Sequence, residues 1–130
     1  MREKIVVVED DPAALRLVTF TLESAGYKVI FAANGIEGLR KAQEEAPDLL
    51  VLDLMLPGID GYEVCHRLRS NSAGSGSQVP ILMLTAKSQQ ADRTMAEQVG
   101  VDRYLCKPAT PEEITAAVDT LLSQRQEKHA

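Results

Sequence analysis

Two uninterrupted apolar tetramers that each run straight into acid constrain this chain more than any other feature. Ile5-Val6-Val7-Val8 is followed by Glu9-Asp10-Asp11, and Leu49-Leu50-Val51-Leu52 by Asp53. A strand that is apolar at every position has no solvent face, so it belongs inside a parallel sheet covered by helices on both sides. In open sheets of that kind, ligands sit just beyond the carboxyl ends of the strands. If these two strands are neighbours, their acids converge at one end of the sheet. Like charges so placed repel, and the arrangement persists most easily with a cation among them.

The rest of the chain alternates strand and helix signals five times with short joints. Asp11-Pro12 reads as an N-cap followed by proline at the first helical position, and Leu15, Val18, Leu22 and Ala25 then recur at helical spacing up to Gly26. Tyr27 to Ala32 is a second, less apolar strand, and Asn34 with Glu37 opens a helix that Pro47 stops. After Asp53 comes a loop with the Pro57-Gly58 turn signal, then a helix from about Gly61 to Leu68. Ser70 to Ser77 is Gly/Ser-rich and reads as a flexible surface connection within the domain. Val79 to Leu84 is the fourth strand, ending at Thr85; Gln89 to Gln98 is a helix stopped at Gly100, and Val101 to Cys106 is the fifth strand. Thr110-Pro111-Glu112-Glu113 opens the last helix with cap, proline and capping glutamate. Strands one, three and four are apolar throughout and belong in the centre; strands two and five carry polar residues and belong at the edges. Right-handed crossovers then favour the order 2-1-3-4-5. The expected fold is a single doubly wound, five-stranded parallel α/β sandwich of the flavodoxin-like kind, with residues 1–124 as the domain and 125–130 as a C-terminal tail.

Bulk properties exclude several classes. A chain of 130 residues, 45% hydrophobic and 25% charged, suits one globular domain with a real core. A formal net charge of −5 argues against a nucleic-acid surface, which would show a basic stripe. No apolar stretch is long enough to span a membrane and no signal peptide opens the chain, so cytoplasmic residence is the expectation. Cys65 and Cys106 match no metal or redox spacing and read as reduced thiols in or near the core. His66 and His129 form no ligand set, and the basic clusters at Arg67-Arg69 and Arg125 to Lys128 read as solvated faces or tails.

An acidic strand end limits the chemistry. Phosphate needs donors, and no glycine-rich loop follows the first strand; carboxylates would repel it unless a divalent cation intervened. A few hard oxygen ligands favour Mg²⁺, which keeps some waters and takes the rest of its shell from one or two carboxylates and a phosphoryl group. A carboxylate can itself be the nucleophile, giving an acyl phosphate. Such a site should also hold a cation and a hydroxyl for the remaining phosphoryl oxygens, and Lys107 and Thr85 end strands five and four at the same rim.

Val8-Glu9-Asp10-Asp11, the run from Asp53 to Gly61, Thr85-Ala86, and Tyr104-Leu105-Cys106-Lys107-Pro108 together resemble a bacterial two-component response-regulator receiver domain. The resemblance covers essentially the whole chain, in the right order. It implies that Asp53 accepts a phosphoryl group from a sensor histidine kinase or phosphotransfer protein in a Mg²⁺-dependent reaction. Glu9 and Asp10 would hold the metal, one of them through water, with Asp53 and the backbone carbonyl of Met55. Lys107 would contact the phosphoryl group, and its bond to Pro108 is expected to be cis. Thr85 and Tyr104 would be the switch pair, the hydroxyl moving onto the phosphoryl group and the ring swinging inward. A domain of this kind is no enzyme toward other substrates; it catalyses only its own phosphorylation and dephosphorylation, and it passes the signal to a downstream protein target that the residues do not name.

Each of these positions also has a plainer reading. Asp11 is explained by N-capping, with direct metal contact as the alternative, and Tyr104 can be an edge-strand aromatic half covering a helix. A receiver-like scaffold that never takes phosphate is the alternative function, although its mark is a damaged site. In the transcription-factor branch of the family, dimers pair charged residues that Arg93 and Glu113 would match here, whereas Arg103 and Ala117 depart from the set. No DNA-binding domain follows residue 124, so output is expected through partner binding unless the chain is a piece of a longer protein. Met55 and Lys87 occupy the two flanking positions that affect acyl-phosphate hydrolysis in the family. The thioether of Met55 is poorly suited to orient a water, which leads us to expect a fairly long-lived phosphoryl state.

Overall fold

The computed structural model describes residues 2–71 and 77–129, and of 126–129 the backbone only. It has five strands, β1 (Lys4–Val8), β2 (Lys28–Ala32), β3 (Leu49–Leu52), β4 (Ile81–Thr85) and β5 (Arg103–Cys106). They alternate with five helices, α1 (Pro12–Ser24), α2 (Gly35–Glu44), α3 (Gly61–Ser70), α4 (Gln90–Gln98) and α5 (Pro111–His129). The strands form one sheet in the order β2-β1-β3-β4-β5, all neighbours parallel, as the apolar and polar strands require. Residues 72–76 of the expected Ser70–Ser77 connection lie outside the described residues. Helix α5 runs unbroken to His129, through the segment expected to be a tail.

Strand periodicity separates the core into two layers. Val6, Val8, Leu50, Leu52, Ile81 and Met83 face one side and pack with Ala42, Val64, Cys65, Leu68 and Ala96 of α2, α3 and α4. Ile5, Val7, Leu49, Val51, Leu82 and Leu84 face the other and pack with Val18 and Leu22 of α1 and with Ile114, Ala117, Val118, Leu121 and Leu122 of α5. Alternate residues of one strand therefore serve opposite layers, which is why the three central strands are apolar at every step.

Helix starts follow their caps. Asp11, Asn34 and Asp60 each accept a backbone N–H from the first turn of α1, α2 and α3, and Thr110 and Glu113 cap α5 reciprocally at 3.1 and 3.0 Å. Gly26 and Gly100 take positive φ, +98° and +96°, just past the ends of α1 and α4. A Cβ at Gly100 would also come 2.9 Å from the Arg69 side chain, so any other residue there would have to displace it.

Arg69 departs from its reading as part of a solvated face. Its guanidinium is half-buried at the amino-terminal edge of the sheet, donating to the carbonyls of Ser77 (3.1 Å), Val79 (2.7 Å) and Gly100 (3.1 and 2.8 Å) and to Asp102 (3.0 Å). Asp102 in turn accepts the Ile81 N–H at 2.8 Å. Arg125 likewise reaches the Asp48 carbonyl at 2.7 Å instead of lying in solvent. Arg69 thus joins the end of α3 to the segments entering β4 and β5. Charged hydrogen bonds of this kind contribute roughly 1.5–3 kcal/mol each when their acceptors would otherwise be left unpaired. Arg69→Ala is expected to lower the unfolding free energy by about 2–3 kcal/mol in urea titration, with Arg69→Lys restoring less than half of it because a point ammonium cannot span the fork. A loss under about 0.5 kcal/mol, the ordinary surface value, would contradict this role.

Candidate functional site

Register brings the acids together. Val8 lies beside Leu52 in the β1–β3 ladder, so the next residues, Glu9 and Asp53, leave the sheet side by side. The Asp53 N–H still bonds the Val8 carbonyl at 3.1 Å, and the Glu9 N–H bonds that of Ala32 at 3.0 Å. Glu9 and Asp53 are buried, 4% and 8% exposed, while Asp10 faces solvent. Carboxylate oxygens of Glu9, Asp10 and Asp53 lie within 4.8 Å of one another.

Lys107 joins them from the end of β5. Its ammonium pairs with Glu9 and lies 3.0 Å from Asp53 Oδ2. Its place is set by the Thr85–Cys106 register and by its N–H, which bonds the Thr85 carbonyl at 2.8 Å. Burial raises the pKa of Glu9, and the neighbouring charge of Asp53 adds to this against the bonds from Lys107 and the Asp11 N–H. For Lys107 burial acts downward, but the bonds to Glu9 and Asp53 outweigh it and leave the ammonium more firmly protonated than usual. Geometry gathers three carboxylates here, and the Lys107 ammonium reaches two of them, Glu9 and Asp53. The residues therefore suit a divalent cation with oxygen ligands, which would supply the missing positive charge.

The other expected residues are placed as follows. Thr85 is wholly buried at the end of β4, its hydroxyl accepting the Lys87 N–H at 3.4 Å. Met55 donates its backbone N–H to Asp53 Oδ1 at 3.2 Å, and its side chain is 56% exposed. Asp11 caps α1, accepting the Ala14 N–H at 3.0 Å, which matches the plainer of its two readings. The Lys107–Pro108 peptide is cis, as the resemblance implies. Tyr104 is half-buried on the edge strand, its hydroxyl on the Lys87 carbonyl at 2.6 Å.

Two features escape a reading of the sequence. Gly61 carries no Cβ because one would sit 2.6 Å from the Asp53 carbonyl oxygen, so α3 starts directly against the backbone of that residue. Cys106 differs from Cys65: the latter is fully buried and its thiol is pushed up to about 12 by burial, whereas Cys106 is half-buried with the Arg93 guanidinium 3.1 Å from its sulfur. No spacing signal links positions 93 and 106, since only the α4–β5 packing brings them together.

Comparison with known proteins places this geometry. The family model of the response regulator receiver domain matches residues 5–119. The alkaline phosphatase synthesis transcriptional regulatory protein PhoP of Bacillus subtilis is 44% identical over 126 residues, covering 97% of this chain and 51% of that protein. The DNA-binding dual master transcriptional regulator RpaA of Synechocystis is 45% identical over 119 residues, covering 92% and 48%. The chain thus spans about half the length of these curated relatives. The receiver domain of a sensor histidine kinase from Pseudomonas aeruginosa PAO1, solved with a magnesium ion coordinated in its active-site cleft, superposes with a TM-score of 0.86 at 32% identity, covering 95% of this chain and 99% of that one. The expectation that nucleic acid is not a partner finds no support in relatives named as transcriptional or DNA-binding regulators; the charge argument concerns the matched half alone. Among the described residues no helix is long and apolar enough to cross a membrane. With the family match over most of its length and the strand order and acidic strand ends described above, the chain belongs to the receiver domains of two-component response regulators.

Proposed function

We propose that this receiver domain takes a phosphoryl group onto Asp53 from a histidine kinase or phosphotransfer protein, with Mg²⁺ as cofactor. The observation that carries the reading is the convergence of Glu9, Asp10 and Asp53, with the Lys107 ammonium set against Glu9 and Asp53. Glu9, Asp10, Asp53 and the Met55 carbonyl would hold the metal, which when bound offsets negative charge on the transferring group. Asp53 supplies the nucleophilic oxygen: its bond to phosphorus forms as the donor's P–N bond breaks and the imidazole leaves. Lys107 stays charged throughout and pairs with a phosphoryl oxygen, at the cost of its present contact with Asp53. Thr85, at the end of the neighbouring strand, donates its hydroxyl to another oxygen, and Tyr104 follows into the space so opened. A downstream protein then recognises the changed face. The free thiols fit a reducing compartment, and we place the domain in the cytoplasm. The scaffold alternative calls for a damaged site, and every expected side chain is present here.

Incubation with acetyl phosphate and Mg²⁺ followed by intact-mass measurement should add one phosphoryl group to the wild type and none to Asp53→Asn. Chelation with EDTA should abolish labelling, and undiminished labelling in EDTA would remove the metal from the scheme. Lys107→Ala should slow labelling on the order of 10²-fold, the cost of losing one donor to a developing charge. The exposed thioether of Met55 offers no group to orient an attacking water, so acyl phosphate prepared in this way should persist well beyond seconds after the donor is removed. Decay within seconds would refute that part of the reading.

A further inference from the structure

Helix α2 and the loop of residues 53–60 between β3 and α3 meet at a contact that only a glycine permits. Gly35, the first residue of α2, is buried against Ile59. A Cβ there would lie 2.2 Å from the Ile59 carbonyl oxygen and 2.7 Å from its Cγ1. The backbone at this position does not call for glycine, because φ is not positive. Asn34 already starts the helix by accepting the Glu37 N–H at 2.8 Å, and glycine weakens a helix relative to alanine. Close approach to the loop is what the missing side chain provides. One turn on, Gly38 is pressed against Val8 in the same way, a Cβ there falling 2.6 Å from Val8 Cγ2. The helix is therefore seated on β1, and the loop is the part that must yield if the gap at Gly35 is filled.

That loop carries Met55, whose carbonyl the phosphotransfer reading makes a metal ligand. Its base is tied by the Gly61 N–H on the Leu54 carbonyl at 2.9 Å, and the Met55 N–H bonds Asp53 Oδ1 at 3.2 Å. Leu56 and Ile59 rest half-buried on the core layer beneath, with the Pro57-Gly58 turn between them. A loop so short and so anchored passes a push at Ile59 along to Met55. Relieving the 2.2 Å approach would move the Ile59 carbonyl by about 1 Å, a displacement that is costly in a site needing fixed geometry. Mg²⁺ tolerates little of this, because it demands near-octahedral ligands at about 2.0–2.1 Å. We propose that Gly35 is a positioning residue for the metal site, letting α2 brace the loop so that the Met55 carbonyl is held for the cation. The identity of the metal rests on the phosphotransfer reading, and the part of α2 in holding it is what the contact adds.

Titration of the whole chain with Mg²⁺ and no phosphodonor, followed by the shifts of its backbone amide resonances in ¹H–¹⁵N NMR, reads the contact directly. Gly35→Ala should weaken Mg²⁺ binding about 10-fold, the ordinary loss when a group supporting a metal ligand is disturbed. Labelling by acetyl phosphate should then need correspondingly more Mg²⁺ and approach the wild-type rate once Mg²⁺ saturates. Gly26→Ala is the control for a general loss of stability, since its φ of +98° strains any side chain while nothing lies within 4 Å of the added carbon. It should bind Mg²⁺ as wild type does. Ile59→Gly removes the Cγ1 contact and loosens the loop without filling the gap. It should weaken binding by a smaller factor, and it decides the matter if Gly35→Ala does not fold. Any of four results would overturn the proposal: a folded Gly35→Ala that binds Mg²⁺ as tightly as wild type, equal weakening in Gly26→Ala, unaltered binding in Ile59→Gly, or a wild type that binds no Mg²⁺. A wild type that binds Mg²⁺ but gains no phosphoryl mass would sink the phosphotransfer reading instead, and weaker Mg²⁺ binding in Gly35→Ala would still support the brace.

Discussion

The whole molecule is arranged around carboxylates that repel one another at the ends of two neighbouring strands. Two unit charges within 4.8 Å repel by roughly 1–4 kcal/mol between the dielectric of water and that of a protein surface. That cost is tolerable because the strands carrying the acids are also the best-buried part of the core. Fully burying a Leu, Ile or Val contributes about 1.5–3 kcal/mol, and Ile5, Leu49, Leu50 and Leu52 are all at 0% exposure. The register of β1 against β3 then leaves Glu9 and Asp53 no freedom to move apart. Repulsion is thus held in place by packing, and the site is prepared for positive charge before any arrives.

Lys107 answers part of that charge and no more. Its ammonium is tied to both buried acids, and its backbone is tied to Thr85, so it joins the acids to the ends of β4 and β5. A group that draws Lys107 away from Asp53 pulls on the same strand end that carries Cys106 and Tyr104. One short strand, four residues long, thus joins the acids to the α4–β5 face: it carries the tyrosine in its middle and leads directly into the cation.

Legibility in the sequence followed the range of each interaction. Continuous apolar tetramers read correctly as central parallel strands because their signal is local and their two core layers leave no polar alternative. Caps at Asp11, Asn34 and Thr110 read correctly for the same reason, each being settled within one helical turn. The convergence of Glu9, Asp10, Asp53 and Lys107 became legible only once strand order was inferred, since the topology alone brings position 107 to position 9. Arg69 and Arg125 were opaque. An arginine whose partners are backbone carbonyls 8 to 77 residues away leaves no trace in composition or spacing, and a basic cluster on a helix ordinarily faces water. The link between Arg93 and Cys106 was hidden likewise, because positions 93 and 106 lie on separate elements and meet only where α4 packs beside β5.

The two ends of the sheet divide the work. At the amino-terminal edge, polar groups are matched donor to acceptor: the Lys4 N–H and the Arg125 guanidinium meet Asp48, the Lys4 ammonium meets the Glu45 carbonyl, and Arg69 gathers the segments that enter β4 and β5. At the carboxyl-terminal edge the acids exceed their one cation, and the loops after β1, β3 and β4 carry the exposed residues Asp10, Met55 and Lys87. Stability is therefore concentrated away from the acids, where satisfied hydrogen bonds can offset charge crowding. A chain that matched every charge at both ends would be more stable, but binding a cation at the acids would then gain it little. The mismatch at Glu9, Asp10 and Asp53 is a charge imbalance that a bound cation would relieve, and the bolted opposite edge is what lets the fold carry that mismatch.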